Sequence, residues 1–232
     1  MNVAALVPAY EAAPTVAGVV SAIHGAAQER GLALPVLVMD DGSSDETAKF
    51  AEQAGAEVLR HASNLGKGAA LMTGLRSLAA RGFQAAVTID ADGQHPADEA
   101  IRLAQLPLER NCLVLGVRDL QAAGAPRNSQ FSNGISNYFL SRFSGLRLED
   151  TQCGLRRYPL PETLALGLRS PGYAFEAEVI LRAARAHWSI RQTPVRVIYP
   201  PKAERISHFH VVRDPARIVF RVLQTWLDGV FE

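Results

Sequence analysis

Residues 86–95 read AVTIDADGQH. An apolar run stops abruptly at Asp90 and Asp92, with Gln94 two residues further on. Strand side chains alternate between faces, so if the extended path continues, Asp90, Asp92 and Gln94 point the same way. Two carboxylates that close repel, and the strand behind them offers little solvation. Such a pair either holds a cation or keeps one carboxyl protonated.

Working outward, the same plan recurs along the chain. VAALVPAY (3–10) is a short apolar run, and residues 15–30 carry helical spacing that stops near Gly31. LPVLVMDDGSSDETAKF (34–50) reads as a strand, a turn and a helix capped by Ser or Asp. AEVLRH (56–61) is a short strand, and GKGAALMTGLRSLAARG (66–82) a helix with Gly82 at its end. FQAAVTID (83–90) is the fourth strand and CLVLGVRD (112–119) the fifth. Strands alternating with helices imply right-handed βαβ units and a parallel sheet.

Composition bounds the rest. The chain has 232 residues, 48% of them hydrophobic, enough for one large α/β domain or two small ones with a sizeable core. A net charge of +1 gives no global pull towards nucleic acid. Two cysteines, Cys112 and Cys153, suggest no disulfide framework and fit a reducing compartment. Cys153 reads as a buried small residue, since no histidine has nucleophile-motif spacing to it. The opening MNVAALVPAY lacks the pattern of a signal peptide, and no apolar stretch reaches the roughly 18 residues of a membrane span.

Polar residues gather where strands end. Pro8, Tyr10 and Glu11 follow the first strand, Asp40 and Asp41 the second, Asp90 and Asp92 the fourth, Arg118 the fifth. In open parallel sheets ligands bind at that edge. One Asp there is ordinary turn chemistry; several sharing an edge are a candidate site. NLGKGAA (64–70) is not a P-loop, because it lacks the upstream glycine and a Ser or Thr after Lys67. It reads as a glycine-rich helix start, or as a backbone turn that approaches a ligand with Lys67 adding charge. DADG also resembles the haloacid dehalogenase phosphatases, but the DGSSD pair precedes it in the wrong order and Gln94 replaces the expected Thr.

Taken together, VPAYEAAPTV, VMDDGSSDET, NLGKGAAL, TIDADGQHP, GVRD and EDTQCGLRRY resemble the family 2 glycosyltransferases over roughly residues 3–210. The likeness is greatest to the dolichyl-phosphate mannose synthase and polyprenyl-phosphate glucosyltransferase branch. It implies a GT-A fold, a Rossmann-like α/β domain with a mostly parallel central sheet flanked by helices. Residues 1–118 would form the nucleotide-sugar half, 119–210 the acceptor half and 211–232 a C-terminal amphipathic helix. Asp90, Asp92 and Gln94 would surround Mg2+ or Mn2+, which bridges the diphosphate of a nucleotide-sugar. Pro8, Tyr10 and Glu11 match the first nucleotide motif. Asp41, with Asp40 beside it, matches the carboxylate that accepts from base or ribose, and Lys67 lies beside the nucleotide.

On the acceptor side the resemblance assigns Arg127, with Ser132 and Asn133, to the phosphate of a lipid carrier, and Arg118 to a second phosphate contact. Asp150 lies where relatives place an acidic acceptor-side group. It becomes the candidate base if the acceptor is a hydroxyl, and is otherwise a turn anchor for Gln152 and Arg156. In YAFEAEVILRAARAHW (173–188), an amphipathic helix, Glu176 or Glu178 faces the site or is solvated or capping. His95 reads as a turn residue before Pro96 or a phosphate contact.

The chain departs from the resembled pattern after VRVIYPP. The expected Gly-x-Ser-Lys segment is KAERISHFH (202–210), with Ser207 at the serine position, His208 for the lysine, and Arg205 and Lys202 as further charge. The final segment carries an apolar stripe through Ile218, Leu223 and Val230 beside Arg213, Arg217 and Arg221. It reads as a helix packed on the domain or resting on anionic lipid.

The implied activity is inverting transfer of a hexose from a GDP-mannose or UDP-glucose type donor to a polyprenyl phosphate. The implied location is cytoplasmic, peripheral on the inner face of a membrane. Transfer to a hydroxyl, or a silent nucleotide-sugar-binding partner subunit, are the alternatives. The sequence carries no signal for oligomeric state.

Overall fold

The computed structural model describes residues 2–199. Seven strands form one sheet in the order β3-β2-β1-β4-β6-β5-β7. In chain order they are β1 (Val3–Ala9), β2 (Val36–Asp40), β3 (Glu57–Arg60), β4 (Ala85–Thr88), β5 (Cys112–Arg118), β6 (Arg156–Pro159) and β7 (Ser189–Val195). The helices are α1 (Val16–Glu29), α2 (Thr47–Gln53), α3 (Lys67–Ala80), α4 (Ala97–Gln105), α5 (Arg127–Ser144) and α6 (Ala174–Arg185).

Every residue of β1 is buried, so its apolar run is continuous rather than alternating, as a central parallel strand requires. Val3, Ala5 and Val7 join the core under α1, α2 and α4. Ala4 and Leu6 join the core under α3 and α6. The parallel ladder β3-β2-β1-β4 is the βαβ array implied by the sequence.

Beyond β4 the sheet departs from that array. β6 runs antiparallel to both β4 and β5, and β5 then pairs with β7 in parallel. The sheet is thus mostly, not wholly, parallel. Neither β6 nor β7 is evident from hydrophobic pattern. β6 reads RRYP, and all four of its residues are buried. β7 reads SIRQTPV and is half exposed.

The cap of α2 is the aspartate that the sequence offered, standing one residue before the N-cap. Glu46 stands at its N-cap and makes no side-chain cap. Asp45 does that work from one residue earlier, accepting from the backbone N–H of Thr47. Among the described residues no helix is long and apolar enough to cross a membrane. Lys202, Arg205, Ser207, His208 and the segment 211–232 lie outside the described residues.

Candidate active site at the carboxyl edge of the sheet

A cavity of about 910 Å³ opens over the carboxyl ends of β1, β4 and β5. Its floor is set by the turn after β4. That strand ends at Thr88, and the chain bends with Gly93 at φ +71°. Asp90, Asp92 and Gln94 all reach the cavity. Their convergence comes from the turn and not from the pleat of an extended strand. The backbone N–H of Gln94 donates to Asp92 at 3.0 Å, which fixes the turn.

Lys67, the first residue of α3, places its ammonium 2.8 Å from Asp90 and 3.4 Å from Glu176. Burial alone would raise the Asp90 carboxyl, but the Lys67 charge overrides it and holds the group below the usual carboxylate range. Among the described residues Asp92 has no such partner. Burial and the Asp90 charge push it up to about 6. The two carboxylates foreseen from the sequence therefore repel, and Lys67 is divided between Asp90 and Glu176.

Lys67 is held there by backbone. Gly66 adopts φ +99°, and a Cβ on it would stand 2.7 Å from the Pro171 carbonyl. The loop before it is pinned by Asp41, which accepts from Leu65 N–H at 3.0 Å and Gly66 N–H at 2.7 Å and lies 2.7 Å from His61 Nδ1. A carboxylate offers about four acceptor sites, so Asp41, which lines the cavity, keeps capacity for one further donor.

Glu11, at φ +48°, accepts from Ser44 N–H at 2.7 Å; Pro8 and Tyr10 also line the cavity. Asp40 is not brought there. It is buried, paired with Arg60 Nε at 3.1 Å and bonded to Ser43.

Opposite Asp90 stands Arg118, the last residue of β5. Its Nε donates to Asp150 Oδ2 at 2.6 Å and its terminal nitrogen to Oδ1 at 3.0 Å. Arg118 N–H at 3.1 Å and Gln152 N–H at 3.2 Å complete the shell. Four donors saturate the Asp150 carboxylate, which is 1% exposed and does not line the cavity. Burial disfavours the Arg118 charge, but Asp150 more than compensates and keeps it permanently protonated.

The N-terminal turns of α5 close this side with Asn128, Ser129 and Ser132, and Gln152 donates to Ser132 at 3.3 Å. Arg127 opens the helix but is exposed and is not among the cavity's lining residues. Asn133 is buried.

Sequence reasoning left Glu176 and Glu178 undecided. Glu176 faces the cavity against Lys67, whereas Glu178 binds the backbone of Arg169 and Ser170 and the Arg182 guanidinium. Arg156 and Gly154 were missed as parts of the site. The buried Arg156 guanidinium donates to the carbonyls of Cys153 at 2.8 Å, Glu176 at 2.8 Å and Thr151 at 2.7 Å. A Cβ on Gly154 would overlap the Asp90 carboxylate. His95 is buried, with its Nδ1 3.3 Å from the Arg196 carbonyl. Burial pushes the Cys153 thiol up to about 12, so it is inert, in line with its sequence reading.

The donor set suits a hard divalent cation. Asp90 and Asp92 supply two carboxylates and Gln94 an amide oxygen, all at one cavity wall. Among the described residues no group of three or more His, Cys, Asp or Glu side chains is placed to hold a metal ion, so a cation here would need the Gln94 amide and substrate oxygens as well. Incomplete protein coordination beside space for a phosphate is how Mg2+ is commonly held.

This fold and edge-of-sheet site define a GT-A class transferase. The structure of glucosyl-3-phosphoglycerate synthase from Mycobacterium tuberculosis in complex with Mg2+ and UDP superposes with a TM-score of 0.71 at 22% identity, covering 97% of this chain and 78% of that one. The profile of glycosyl transferase family 2 matches residues 4–158, and the chain belongs to that family. It is 27% identical over 209 residues to an undecaprenyl-phosphate mannosyltransferase of Micrococcus luteus, covering 85% of this chain and 84% of that one. It is 26% identical over 219 residues to a UDP-N-acetylglucosamine–dolichyl-phosphate N-acetylglucosaminyltransferase of Methanococcus voltae, covering 84% of each. The chain is therefore a glycosyltransferase similar to the polyprenyl-phosphate branch.

Proposed function

We propose that the protein transfers a hexose, with inversion, from a nucleotide-sugar to a polyprenyl phosphate at a membrane's cytoplasmic face. The observation that carries this reading is the saturated Arg118–Asp150 pair. Asp150 has no free acceptor site for a substrate proton, while Arg118 keeps a permanent charge at the cavity wall. An acceptor phosphate is already ionised at neutral pH. It needs a cationic anchor and a fixed angle of attack rather than a base.

On the donor side, Asp41 accepts from the nucleoside through its remaining lone pair, and Tyr10 and Glu11 border the base. Lys67 is placed to follow charge from Asp90 onto the leaving diphosphate. Asp90, Asp92 and Gln94 would hold Mg2+ or Mn2+, which would supply charge stabilisation to the leaving diphosphate. Arg118, Ser132 and Gln152 orient the acceptor, and Asp150 orients Arg118. The relatives named above carry the names of different sugars, mannose, N-acetylglucosamine and glucose, so the assay spans several donors.

The test is transfer of labelled sugar from GDP-mannose, UDP-glucose and UDP-N-acetylglucosamine to undecaprenyl phosphate and to undecaprenol. Product with the phosphate alone is the expected result. Arg118→Gln should then lower kcat/KM about a hundredfold, the effect of removing one charged anchor from a closed site, while Arg127→Ala costs much less. Product with the alcohol, or a larger loss for Arg127→Ala, overturns the assignment.

A further inference from the structure

Behind Asp41, on the donor side of the cavity, stands His61, outside the motifs that carry the family resemblance. It follows β3 directly, and its backbone N–H donates to the Asp40 carbonyl at 2.9 Å, which lays it beside the end of β2. Its side chain is 12% exposed, and both ring nitrogens are engaged. Nδ1 lies 2.7 Å from Asp41 Oδ1, and Nε2 lies 3.0 Å from the Thr73 hydroxyl on α3. Asp41 already takes two backbone N–H groups, so it meets the ring as an acceptor and Nδ1 carries the proton. The Thr73 hydroxyl donates to a bare Nε2 or accepts from a protonated one, so it suits either charge state of the ring.

The result is an uneven carboxylate. Oδ1 accepts twice, from His61 and from Leu65 N–H, and is full. Oδ2 accepts once, from Gly66 N–H, and keeps one site. The backbone around it is tightly packed. A Cβ on Gly42, next to Asp41, would stand 2.4 Å from the Ser63 carbonyl carbon, so the turn after β2 and the loop 61–66 are in direct contact. Turning the carboxylate would break all three bonds at once.

We propose that His61 is a positioning residue for the nucleotide-sugar: by filling Asp41 Oδ1 it makes the site selective for a base with one ring N–H, as in uracil, over a base with two adjacent donors, as in guanine. The guanine edge grips a carboxylate through both oxygens at once. Here one oxygen is taken, so the guanine amino group would be left at Asp41 without its acceptor. Uracil brings a single donor between two carbonyls and asks only for Oδ2. A site that leaves a buried polar group unpaired discriminates strongly against the ligand that causes it. The inference rests on the reading that Asp41 accepts from the donor's nucleoside, and adds which base it takes and which residue sets that choice.

The experiment is calorimetric titration of UDP and of GDP, each with Mn2+, into the full chain and its variants, with no transfer reaction involved. The wild-type protein should bind UDP about tenfold or more tightly than GDP. His61→Leu frees a site on Oδ1, so UDP should weaken and the preference should fall to about threefold or less. His61→Gln carries its amide to the place of Nε2 and not of Nδ1, and should act as His61→Leu does if that variant fails to fold. His61→Asn returns an N–H near the place of Nδ1 and should restore most of the preference, a rescue that a merely space-filling role would not give.

GDP binding as tightly as UDP in the wild type overturns the inference. So does a preference that His61→Leu and His61→Gln leave unmoved. Asp41→Asn separates this from the reading beneath it. If that variant weakens UDP by about tenfold, Asp41 stands as the nucleoside contact even where the His61 variants have removed the base assignment. If it changes neither nucleotide, the contact falls and the inference falls with it.

Discussion

The ends of β4 and β5 hold the same ingredients and use them in opposite ways. At β5, one arginine meets one aspartate in a closed pair whose every acceptor site is filled. At β4, one lysine is divided between Asp90 and Glu176, and among the described residues Asp92 has no ion-pair partner. The first arrangement is neutral and rigid. The second carries surplus negative charge in a cavity wall and so invites a positive ligand. A carboxylate at a strand end is thus not a functional sign in itself; its unmet charge is.

The contrast breaks first at Asp92. Asp92→Asn should fold normally, yet lose metal-stimulated transfer by at least about a hundredfold, because one charged oxygen is lost from the cation and from the diphosphate beside it. Circular dichroism and a Mn2+ titration of the rate are the measurements. Undiminished transfer in EDTA would remove the distinction between the two strand ends.

Asp150→Asn should act on the other end through stability. It leaves the largely buried Arg118 charge without its counter-ion, at a cost of about 3 kcal/mol, or a fall in Tm of roughly 10 °C for a domain of this size. Its pH–rate profile should keep the wild-type shape, since the group removed carries no substrate proton. A lost acidic limb at unchanged Tm would instead make Asp150 the base of a hydroxyl acceptor.

Protons should distinguish the ends more gently. Asp92 lies near 6 in the folded protein against an ordinary value of 3.8. The folded state therefore holds more protons between those values, so this group favours folding as pH falls through that window and ceases to as pH rises above it. Mn2+ competes with the same proton. Its affinity should drop up to tenfold per unit below about pH 6 and level off above, an effect absent in Asp92→Asn. Calorimetric titration at several pH values reads this directly.

The smallest effect should come from Glu176→Gln. Lys67 would then pair with Asp90 alone, and a more tightly held ammonium leaves less of Asp90 for a cation. A several-fold weaker Mn2+ affinity with unchanged Tm is the expected outcome. A wild-type Mn2+ affinity would show that Glu176 does not share in the charge balance.

The β4 end was the more legible of the two in sequence. Apolar runs broken by aspartate mark β2 and β4, and the helices between them carry plain 3.6-residue spacing. The β5 side hid for a physical reason. β6 is built around Arg156 and Arg157, and hydropathy scores an arginine as surface. Here each guanidinium is buried because backbone carbonyls from three residues accept its protons. Such partners come from distant parts of the chain and leave no local pattern. Arg127 shows the converse. Its position in the chain is that of an acceptor contact, but the start of α5 turns Asn128 and Ser129 into the cavity instead. The choice between Glu176 and Glu178 depends on the rotation of α6 against α3, which periodicity alone does not fix.

Arg156 has one more consequence. Its three bonds fasten the loop carrying Thr151 and Cys153 to the first turn of α6, where Glu176 holds Lys67. Gly154, in that same loop, touches the other wall, because its carbonyl accepts the Thr88 hydroxyl at 2.7 Å. The two walls of the cavity are therefore joined beneath it like the jaws of a fixed wrench. That joint opposes any change in the spacing between the β4 and β5 ends, so a change of aperture is expected to come from the segments above it.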